Sequence, residues 1–451
     1  MIPILTPDEM AAVDAAARAP VEVLIERAGA AVAREALDLL GGGYGRRVVV
    51  LAGKGNNGAD GRSAAVWLRR RGVRVEVVDA VDAPARLPDA DLVVDAAYGT
   101  GFRGEYTAPD VGDTPVLAVD IPSGVDGATG EEHGRVLPAA RTVAIAALKP
   151  GLVLEPGRSR AGQLVVADIG LDLGEPSASV VEAHDVRDWL PSRATASHKW
   201  QASVLVVAGS AGMTGAGCLA AAAAQRAGAG MVRLGSPGVA DDPGRPVEAV
   251  GLALPAAGWT EVVLEAAPRF QALVIGPGLG VGASTQAAVR DVVAAAGLPL
   301  LIDGDALTAL GRDVASVLGE RRTPTVLTPH DGEYERLTGA RPRPDRLDAA
   351  QRLATETGAV VLLKGPSTVV AAPDGRVRMV TSGDARLATA GTGDVLSGII
   401  GALLARGLPP LEAAAAGAWL HARAGVLGPS VGLVASDLID DLPAVLAEVA
   451  A

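Results

Sequence analysis

Amide, carboxylate and hydroxyl side chains cluster in three glycine-rich turns in the first half of the chain. They belong to Asn56, Asn57, Asp60, Asp95, Asp120 and Ser123. In a parallel sheet the carboxyl ends of adjacent strands converge on one crevice, so Asn57, Asp95, Asp120 and Ser123 are candidates for a shared pocket. Several oxygen donors together suit a hard cation. For Asp95 or Asp120 taken singly, a cap on the following turn is the alternative interpretation.

The first of these turns, residues 53–61, also has the glycine spacing of a dinucleotide-binding loop. Gly53, Gly55 and Gly58 follow an apolar stretch, and Asp79 ends the next predicted strand about 20 residues on, as that fingerprint requires. The pattern permits a nicotinamide dehydrogenase, whose glycines let the backbone approach a pyrophosphate. A tight turn that only packs a strand against a helix is the structural alternative. The polar side chains of the loop favour direct contact with a ligand.

In the second half, Gly391, Thr392, Gly393 and Asp394 open a predicted helix at residues 395–406. Free backbone N–H groups and the positive end of the helix dipole favour a phosphate at such a turn. Asp394 is either a plain helix cap or a general base that takes a proton from a hydroxyl during phosphate transfer. The sequence has no Walker A motif, which excludes a P-loop enzyme. This turn therefore predicts nucleotide binding and phosphate-coupled chemistry on a hydroxyl.

Other turns in the second half also follow predicted strands. Two glycine-rich segments, residues 209–217 and 276–280, are typical of turns that tolerate anions. Charged side chains end two more strands, namely Asp303, Asp305 and Lys364. His330 lies at a strand end, and both ligand contact and a structural role are open for it. Cys218, in a helix of small residues, is interpreted as a packing residue.

Composition narrows the class of protein. Of the 451 residues, 49% are hydrophobic and 20% are charged, which is typical of a globular chain. A formal net charge of −12 without a long basic run gives no electrostatic footprint for nucleic acid or anionic membrane. The single cysteine and an N-terminus without a secretory pattern fit a reducing compartment. We expect a cytoplasmic homo-oligomer whose partners are small molecules, with no nucleic-acid or membrane partner.

The elements that must position these turns form two α/β series. Helical spacing over residues 6–40 predicts two short helices broken near Pro20. The strands predicted next are 47–52, 73–78, 92–96, 116–121, 142–146 and 164–167, in a mainly parallel sheet. A less regular stretch, 173–199, contains the boundary between domains at 1–180 and 181–451. The second series has strands at 204–208, 272–275, 299–302, 325–327 and 359–363, followed by three alanine-rich helices.

In their order along the chain, these motifs resemble the bifunctional NAD(P)H-hydrate repair enzymes, in which an epimerase domain precedes an ADP-dependent dehydratase. The blocks in the first half are residues 26–29, 56–57, 95–101 and 120–124. Those in the second half are residues 198–199, 209–217, 276–280, 328–333, 364–365 and 391–394. The resemblance spans nearly the whole chain. It implies two layered α/β domains, Rossmann-like at 1–180 and ribokinase-like at 181–451.

For the first domain the resemblance implies an isomerase that interconverts the R and S forms of hydrated NADH or NADPH. The residues that it assigns to this substrate are Asn56, Asn57, Gly58, Ala59, Asp60, Gly99, Thr100, Gly101, Phe102, Arg103, Gly104 and Glu105. It implies that Asn57, Asp95 and Ser123 coordinate potassium. Asp120 would act at the epimerised centre.

For the second domain the resemblance implies a lyase that dehydrates the S form with ADP and Mg²⁺. The residues assigned to the hydrate are Ala216, Gly278, Gly280, His330 and Asp394. Those assigned to ADP are Lys364, Gly365, Pro366, Ser367, Thr368 and Gly393. The hydroxyl would be phosphorylated and lost as phosphate, leaving AMP and the restored nucleotide, with Asp394 as the base.

Two positions depart from the family pattern. Ala59 stands where a second glycine is usual, and Ala390 stands where glycine is frequent. Alanine is strained at such positions only where φ is positive. The structure of the turns therefore decides whether these departures matter.

Three other functions fit parts of the sequence. A ribokinase-like small-molecule kinase using ATP, with a non-catalytic first domain, fits residues 393–394 but has no need for the asparagine-rich loop. A ligand-sensing or protein-binding first domain is disfavoured by Asp120 and the full set of oxygen donors. A nicotinamide dehydrogenase has Asp79 in its favour but leaves Asn56, Asn57 and the second domain unexplained.

Overall fold

The computed structural model describes residues 1–192, 195–319 and 321–450. The chain divides into two compact units, Ile2–Ala178 and Ser179–Ala451, the latter joined by Met1. Among the described residues, none of the helices combines the length and the apolar character that a bilayer crossing requires.

The first unit is a parallel α/β sheet with helices. Its strands are β1 (Ile2–Ile4), β2 (Arg47–Ala52), β3 (Arg74–Asp79), β4 (Leu92–Ala96), β5 (Tyr106–Thr107), β6 (Val116–Val119), β7 (Gly134–Arg135), β8 (Arg141–Ile145) and β9 (Gln163–Ala167). Its helices are α1 (Pro7–Ala15), α2 (Val21–Leu40), α3 (Asn56–Arg70), α4 (Pro150–Val153) and α5 (Gly157–Ala161). The main sheet has the order β3-β2-β4-β6-β8-β9 and is parallel throughout.

Continuous apolar runs place β2 and β4 at the centre of this sheet. Every residue of β4 is buried, as expected for a strand covered on both faces. Pro20 separates α1 from α2, as the sequence predicted, but the expectation of two short helices was wrong for the second. α2 has 20 residues and ends at Gly41, whose φ is 65°. Its apolar stripe continues to Leu40, so nothing in the sequence stops the helix before that glycine.

The second unit also has a mostly parallel sheet. Its strands are β10 (Ala178–Val180), β11 (Ser203–Val207), β12 (Met231–Gly235), β13 (Val250–Leu252), β14 (Ala272–Ile275), β15 (Leu300–Ile302), β16 (Thr325–Leu327), β17 (Val360–Leu363), β18 (Thr368–Ala371) and β19 (Val377–Val380). Its helices are α6 (Ala183–Trp189), α7 (Thr214–Arg226), α8 (Thr260–Ala266), α9 (Ala283–Ala295), α10 (Asp305–Leu310), α11 (Val314–Leu318), α12 (Asp331–Thr338), α13 (Arg346–Thr357), α14 (Thr392–Ala405), α15 (Pro410–Leu427) and α16 (Ala435–Ala450). Short 3₁₀ turns lie at Lys199–Ala202, Ala267–Arg269, Gly311–Asp313 and Ala385–Leu387.

The strand order in the second unit reverses next to β11. The order is β10-β19-β18-β17-β16-β15-β14-β11-β12-β13, so β11 pairs with β12 on one side and with β14 on the other. A reversal of this kind opens a crevice at the carboxyl ends of the strands, where ligands bind in open α/β sheets. The turns after β11 and β14 therefore stand at the position where a site is expected.

An antiparallel hairpin, β18 and β19, ends the parallel series and was not predicted. It joins β17 through antiparallel pairing. Pro373, Asp374 and Gly375, with φ of 97° at the glycine, form its turn between two apolar segments. That sequence is a recognised hairpin signal, so the hairpin could have been predicted from the sequence.

Candidate active sites

A cavity of about 1270 Å³ opens at the carboxyl ends of β2, β4 and β6. It exceeds the range of about 300–1000 Å³ that is usual for small-molecule pockets, as a dinucleotide would require. The predicted residues that line it are Asn56, Asn57, Asp60, Gly99, Thr100, Gly101, Phe102, Arg103 and Asp120. Those that lie outside its lining are Gly58, Ala59, Gly104, Glu105, Asp95 and Ser123. Asp14 and Lys149, which the sequence analysis did not single out, also line it.

Two glycines hold the turn after β2 against the neighbouring strand. A Cβ placed on Gly53 would lie 1.9 Å from the carbonyl oxygen of Ala97, and one on Gly58 would lie 1.9 Å from the carbonyl oxygen of Gly53. Both positions therefore require glycine. Ala59 lies within α3, and positive φ outside glycine occurs, among the described residues, at Asp120 and Ala146. Neither Ala59 nor Ala390 is strained.

Asp79 does not take the role that a dehydrogenase would give it. Its carboxylate lies 3.7 Å from the guanidinium of Arg62, and it is absent from the cavity lining. Arg62 in turn donates a 2.6 Å hydrogen bond to the carbonyl of Gly53. The carboxylate at the end of β3 therefore supports the glycine turn from outside.

Asp95 and Ser123 are bonded to each other in the buried floor behind the cavity. The hydroxyl of Ser123 donates to Oδ1 of Asp95 at 2.6 Å, and its backbone N–H donates to Oδ2 at 2.9 Å. Burial raises the pKa of Asp95, although these bonds and one from Ala97 oppose the rise. The structure thus joins two of the three residues that the resemblance assigned to potassium.

The third residue of that set, Asn57, has an unsatisfied amide. Its Oδ1 and Nδ2 atoms are buried and have no hydrogen-bond partner among the described residues. A buried amide without a partner is costly, so such a group marks a place for a ligand or an ion. Oxygens of an amide, a hydroxyl and a buried carboxylate are the donors that a hard cation takes.

Asp120 is held in a strained backbone conformation after β6. Its φ is 67°, and the N–H of Ile121 bonds the carbonyl of Val119 at 2.8 Å, which closes a γ-turn around it. Ala146, after the adjacent strand β8, is at the centre of a second such turn, with φ of 64°. Strain of this kind persists only where the surroundings hold it, and it concentrates at functional sites.

In the γ-turn around Ala146, the backbone of Ile145 contacts the ion pair between Lys149 and Asp120. The ammonium of Lys149, whose side chain is 1% exposed, bonds Oδ1 of Asp120 and donates to the carbonyl of Ile145 at 2.8 Å. The N–H of Ile145 donates to the same Oδ1 at 3.2 Å. Oδ2 of Asp120 faces Gly99 instead, 3.6 Å from the point where a Cβ would stand. One oxygen of Asp120 is therefore fixed by the protein, and the other is directed toward the turn after β4.

Two further carboxyl groups share the wall of this cavity. Burial, followed by the charges of Asp120 and Asp14, raises the pKa of Asp60 to about 8, with Lys149 opposing. Burial also raises the pKa of Asp14, with Lys149 opposing and Asp120 adding to the rise. Three carboxyls thus share one buried ammonium, which is the kind of environment that separates proton donors from acceptors.

In the second unit, a buried ion pair joins the ends of β15 and β17. The ammonium of Lys364 lies 2.8 Å from Oδ1 of Asp303 and 3.5 Å from Oε2 of Glu333. The hydroxyl of Ser397 donates to Oδ2 of Asp303 at 2.7 Å. Burial alone would raise the pKa of Asp303, but Lys364 and these hydrogen bonds outweigh it, and the pKa lies below its ordinary value. Asp303 is therefore a fixed negative charge.

That charge acts on Asp394 in the first turn of α14. Burial, followed by the negative charge of Asp303, raises the pKa of Asp394 to about 6, with Lys364 opposing. α14 begins at Thr392, three residues earlier than predicted, with Gly391 as its N-cap at φ of 91°. A Cβ on Gly393 would stand 3.7 Å from the ammonium of Lys364. The predicted base and the free N–H groups of the helix therefore lie beside a lysine.

The glycine turns after β11 and β14 contact each other directly. The N–H of Gly209 bonds the carbonyl of Pro277 at 2.7 Å. A Cβ on Gly278, whose φ is 62°, would lie 2.8 Å from Cβ of Ala216. The N–H of Gly280 donates to the carboxylate of Asp305 at 2.7 Å. The structure thus brings Gly278 against Ala216, and Gly280 faces Met213 and Ser210 of the same turn.

His330 has a structural role, because it caps the N-terminus of α12. It is the N-cap of α12, and its Nδ1 accepts hydrogen bonds from the N–H groups of Gly332 and Glu333. Its side chain is 55% exposed, with Nε2 3.5 Å from Glu333. The ring is therefore oriented by the helix that it caps, and Nε2 is the nitrogen that faces outward from the cap.

The predicted nucleotide loop, residues 364–368, follows β17 and runs into β18. Arg346 donates to the carbonyl of Lys364 at 2.8 Å and forms an ion pair with Asp331 at 2.9 Å. A Cβ on Gly365 would lie 2.7 Å from this guanidinium. Ser367 is buried and Thr368 begins β18. The loop is thus braced from α13 rather than free.

The comparisons with known proteins match both halves of the chain. The family model described as NAD(P)H-hydrate dehydratase matches residues 204–443, and that described as YjeF-related protein N-terminus matches residues 21–87 and 79–151. A bifunctional NAD(P)H-hydrate repair enzyme of Mycobacterium leprae is 39% identical over 90% of this chain and 90% of its own length. This chain belongs to the family of bifunctional NAD(P)H-hydrate repair enzymes. A further member, from Moorella thermoacetica, is 37% identical over 95% of this chain and 92% of its own length.

Solved structures agree for the second half of this member of the repair-enzyme family. The ADP/ATP-dependent NAD(P)H-hydrate dehydratase of Bacillus subtilis, co-crystallised with ATP and Mg²⁺, is 31% identical, covers 59% of this chain and 97% of its own, and has a TM-score of 0.50. A ribokinase-like superfamily protein of Enterococcus faecalis, 24% identical over 62% of this chain and 99% of its own, has a TM-score of 0.54 and supports the fold. The predicted ribokinase-like class of the second domain is confirmed.

Proposed function

We propose that this chain repairs hydrated nicotinamide nucleotides, epimerising the R and S forms in the domain at 1–180 and dehydrating the S form with ADP in the domain at 181–451. The observation that carries the proposal is the position of Asp394. A carboxyl with a pKa of about 6 stands in the first turn of α14, beside Lys364 and free N–H groups, in a chain of the repair-enzyme family. A base that titrates near neutral pH beside a phosphate-binding turn suits phosphoryl transfer to a hydroxyl.

In the second domain, Asp394 takes the proton of the hydrate hydroxyl. The hydroxyl oxygen then attacks the terminal phosphorus of ADP, and AMP leaves. The ring nitrogen of the substrate expels the phosphorylated oxygen as phosphate, and loss of a proton from the neighbouring carbon restores the dihydropyridine. The N–H groups at the start of α14 that have no partner within the helix and the ammonium of Lys364 stabilise the charge on the phosphates. Ala216, Gly278, Gly280 and His330 hold the hydrate.

Mg²⁺ would accompany ADP in this domain, supplying charge neutralisation on the phosphates. It is usually held by one or two carboxylates together with phosphate oxygens. The buried carboxylate of Glu333 fits that role, because its pKa is raised by burial and it receives incomplete compensation from Lys364 at 3.5 Å. The loop at residues 364–368 and Gly393 then contact the nucleotide.

In the first domain, Asp120 acts as the base at the epimerised centre. Lys149 and the N–H of Ile145 fix Oδ1, which leaves Oδ2 for the substrate. Residues 56–60 and 99–105 contact the hydrated nucleotide. The size of the cavity and its lining by both turns support this assignment.

Potassium would bind through Asn57, Asp95 and Ser123. The unpartnered amide of Asn57 and the buried carboxylate of Asp95 support the assignment, since both lack compensation by a cation among the described residues. Bound there, the ion would supply positive charge at the floor of the cavity.

The test is incubation of the purified protein with NADH hydrate and ADP. We expect release of AMP and phosphate in step with recovery of NADH absorbance. A small-molecule kinase would instead convert ATP to ADP and accumulate a phosphorylated product. Absence of NADH recovery with both ADP and ATP contradicts the dehydratase assignment.

A further inference from the structure

Asp60 is a buried carboxyl group that bonds to nothing in the part of the chain that the structure describes. It lies near the start of α3, is 8% exposed, and lines the cavity of the first domain. Its carboxyl has no hydrogen bond or ion pair within residues 1–192, 195–319 and 321–450. Burial of an unpaired carboxylate is unfavourable, so this environment favours the neutral acid. A neutral carboxylic acid has one O–H to donate.

Asp120, on the same cavity, is in the opposite situation. The ammonium of Lys149 pairs with its Oδ1, and the backbone of Ile145 adds a further donor. The cavity therefore holds one carboxyl paired directly with an ammonium and one without a direct partner among the described residues. Two carboxyls separated in this way by their environments are a recurrent basis for an acid and a base in one site.

We propose that Asp60 is the general acid of the epimerase reaction, working with Asp120 as the general base. The inference rests on the proposed epimerase function. In the proposed reaction the oxygen leaves the carbon from one face and returns to the other, and each movement is coupled to a proton transfer. A carboxyl on each face of the ring can supply one of the two transfers.

In the proposed step the oxygen leaves as water, and a second water adds to the opposite face. Asp60 gives its proton to the hydroxyl, the carbon–oxygen bond breaks, and water departs while the ring nitrogen lone pair forms a carbon–nitrogen double bond. A water then adds to the other face, its oxygen forms the new bond, and Asp120 takes the released proton. Asp60 ends as a carboxylate and Asp120 as an acid, and proton exchange with solvent water restores both groups before the next turnover in the same direction. The reverse inversion uses the two residues in exchanged roles.

The charged groups that face Asp60 come from three other elements. Asp14 belongs to α1, Asp120 follows β6, and Lys149 precedes α4. Burial and the two carboxyls raise the pKa of Asp60 to about 8, while Lys149 opposes them. The acid is therefore protonated at neutral pH and loses its proton above about pH 8. Epimerase activity is expected to fall in that range.

The experiment compares Asp60→Asn with the matched variant Asp14→Asn in the full chain. Epimerisation of the R form is measured across pH, together with incorporation of ¹⁸O from labelled water into the recovered hydrate. We expect Asp60→Asn to lose about 100-fold or more in kcat with KM changed little, since general acids contribute about 10²–10⁴-fold. Asp14→Asn should move the alkaline limb to lower pH, because Asp14 raises the pKa of Asp60. Wild type should incorporate ¹⁸O at the rate of epimerisation.

The epimerase function and the role of Asp60 are contradicted by different results. Absence of epimerase activity in wild type contradicts the epimerase assignment itself. Epimerase activity that persists in Asp120→Ala contradicts it as well. Full activity of Asp60→Asn in a chain whose Asp120→Ala variant is inactive contradicts only the role of Asp60. Epimerisation without ¹⁸O uptake also contradicts only the role of Asp60, because the proposed step exchanges the oxygen. If Asp60→Asn fails to fold, the ¹⁸O and pH measurements on wild type still decide.

Discussion

At the scale of single residues, the ion pair between Lys364 and Asp303 influences the protonation of Asp394. Lys364 keeps Asp303 ionised, and burial together with the negative charge of Asp303 raises the pKa of Asp394 to about 6. A base with that pKa is mostly deprotonated at neutral pH and still accepts a proton efficiently. The ion pair is therefore part of the catalytic machinery, although the sequence analysis identified Lys364 only as a nucleotide ligand.

This arrangement predicts a pH profile for the dehydratase. Because Asp394 must be deprotonated to act, kcat/KM should rise with pH up to about 6 and then level off. Asp394→Asn should lower kcat by about 10²–10⁴-fold, the usual contribution of a general base. Epimerisation by the same variant provides the control and should be unchanged. A profile without an acid limb near pH 6 would be inconsistent with this role.

Gly99 gives a second prediction at this scale. A Cβ there would stand 3.4 Å from Cβ of Asn57 and 3.6 Å from Oδ2 of Asp120, so Gly99→Ala should fold normally. Its methyl group would nevertheless occupy the space in front of the free oxygen of Asp120. We expect a raised KM and a lower kcat for epimerisation, with unchanged thermal stability, measured by kinetics and calorimetry on the same sample. Wild-type kinetics in this variant would show that the substrate lies elsewhere.

At the scale of elements, the sequence predicted the strands better than the contacts between them. β2, β4, β14 and β16 begin and end at the residues predicted for them. β6 stops at Val119, two residues before its apolar run ends, because Asp120 adopts a left-handed conformation. The spacing of apolar residues along a strand does not predict a strained backbone conformation at its end.

Asp14 and Lys149 show why part of the site was missed. They reach the cavity from α1 and from the segment before α4, far apart in sequence from the glycine turns. No local motif marks either residue, since only the packed fold brings them to Asp60 and Asp120. The glycine turns, by contrast, were predictable because a tight turn at a strand end demands particular residues at fixed spacing.

The turn that opens α3 gives a stability prediction with a matched control. Gly58→Ala would place a methyl group 1.9 Å from the carbonyl of Gly53, whereas nothing lies within 4 Å of a Cβ on Gly55. Gly58→Ala should reduce the free energy of unfolding by about 1–3 kcal/mol, the usual range for overpacking. Gly55→Ala, at an allowed φ of −84°, should reduce it little. Scanning calorimetry of both chains decides, and equal stability would contradict the close approach of Gly58 to Gly53.

His421 links α15 to the start of α14 and gives a pH-dependent prediction. Its Nε2 bonds the carbonyl of Thr392 at 2.9 Å, and burial, with Lys364 adding, lowers its pKa to about 4. A histidine with a lowered folded pKa loses its stabilising contribution as pH falls from its unfolded value of 6.5 toward 4. That loss amounts to about 3 kcal/mol. His421→Gln, which keeps a donor, should flatten this dependence in denaturation curves; an unchanged slope would contradict it.

At the scale of the whole molecule, one chain carries two sites with different chemistry. Relatives such as that of Mycobacterium leprae match it along both halves, with 39% identity over 90% of the chain. The first site inverts a centre, and the second consumes one of the two forms. The two activities together convert a mixture of epimers completely, which neither site can do alone.

The most direct test of the account uses the R form of NADH hydrate with ADP. Wild type should convert it fully to NADH with release of AMP, Asp120→Ala should convert it only at the rate of spontaneous epimerisation, and Asp394→Asn should epimerise it without producing NADH. Mixing the two variant chains should restore conversion, because each supplies the site that the other lacks. Conversion by Asp120→Ala at the wild-type rate, or no NADH from the mixture, would contradict the assignment of two complementary active sites.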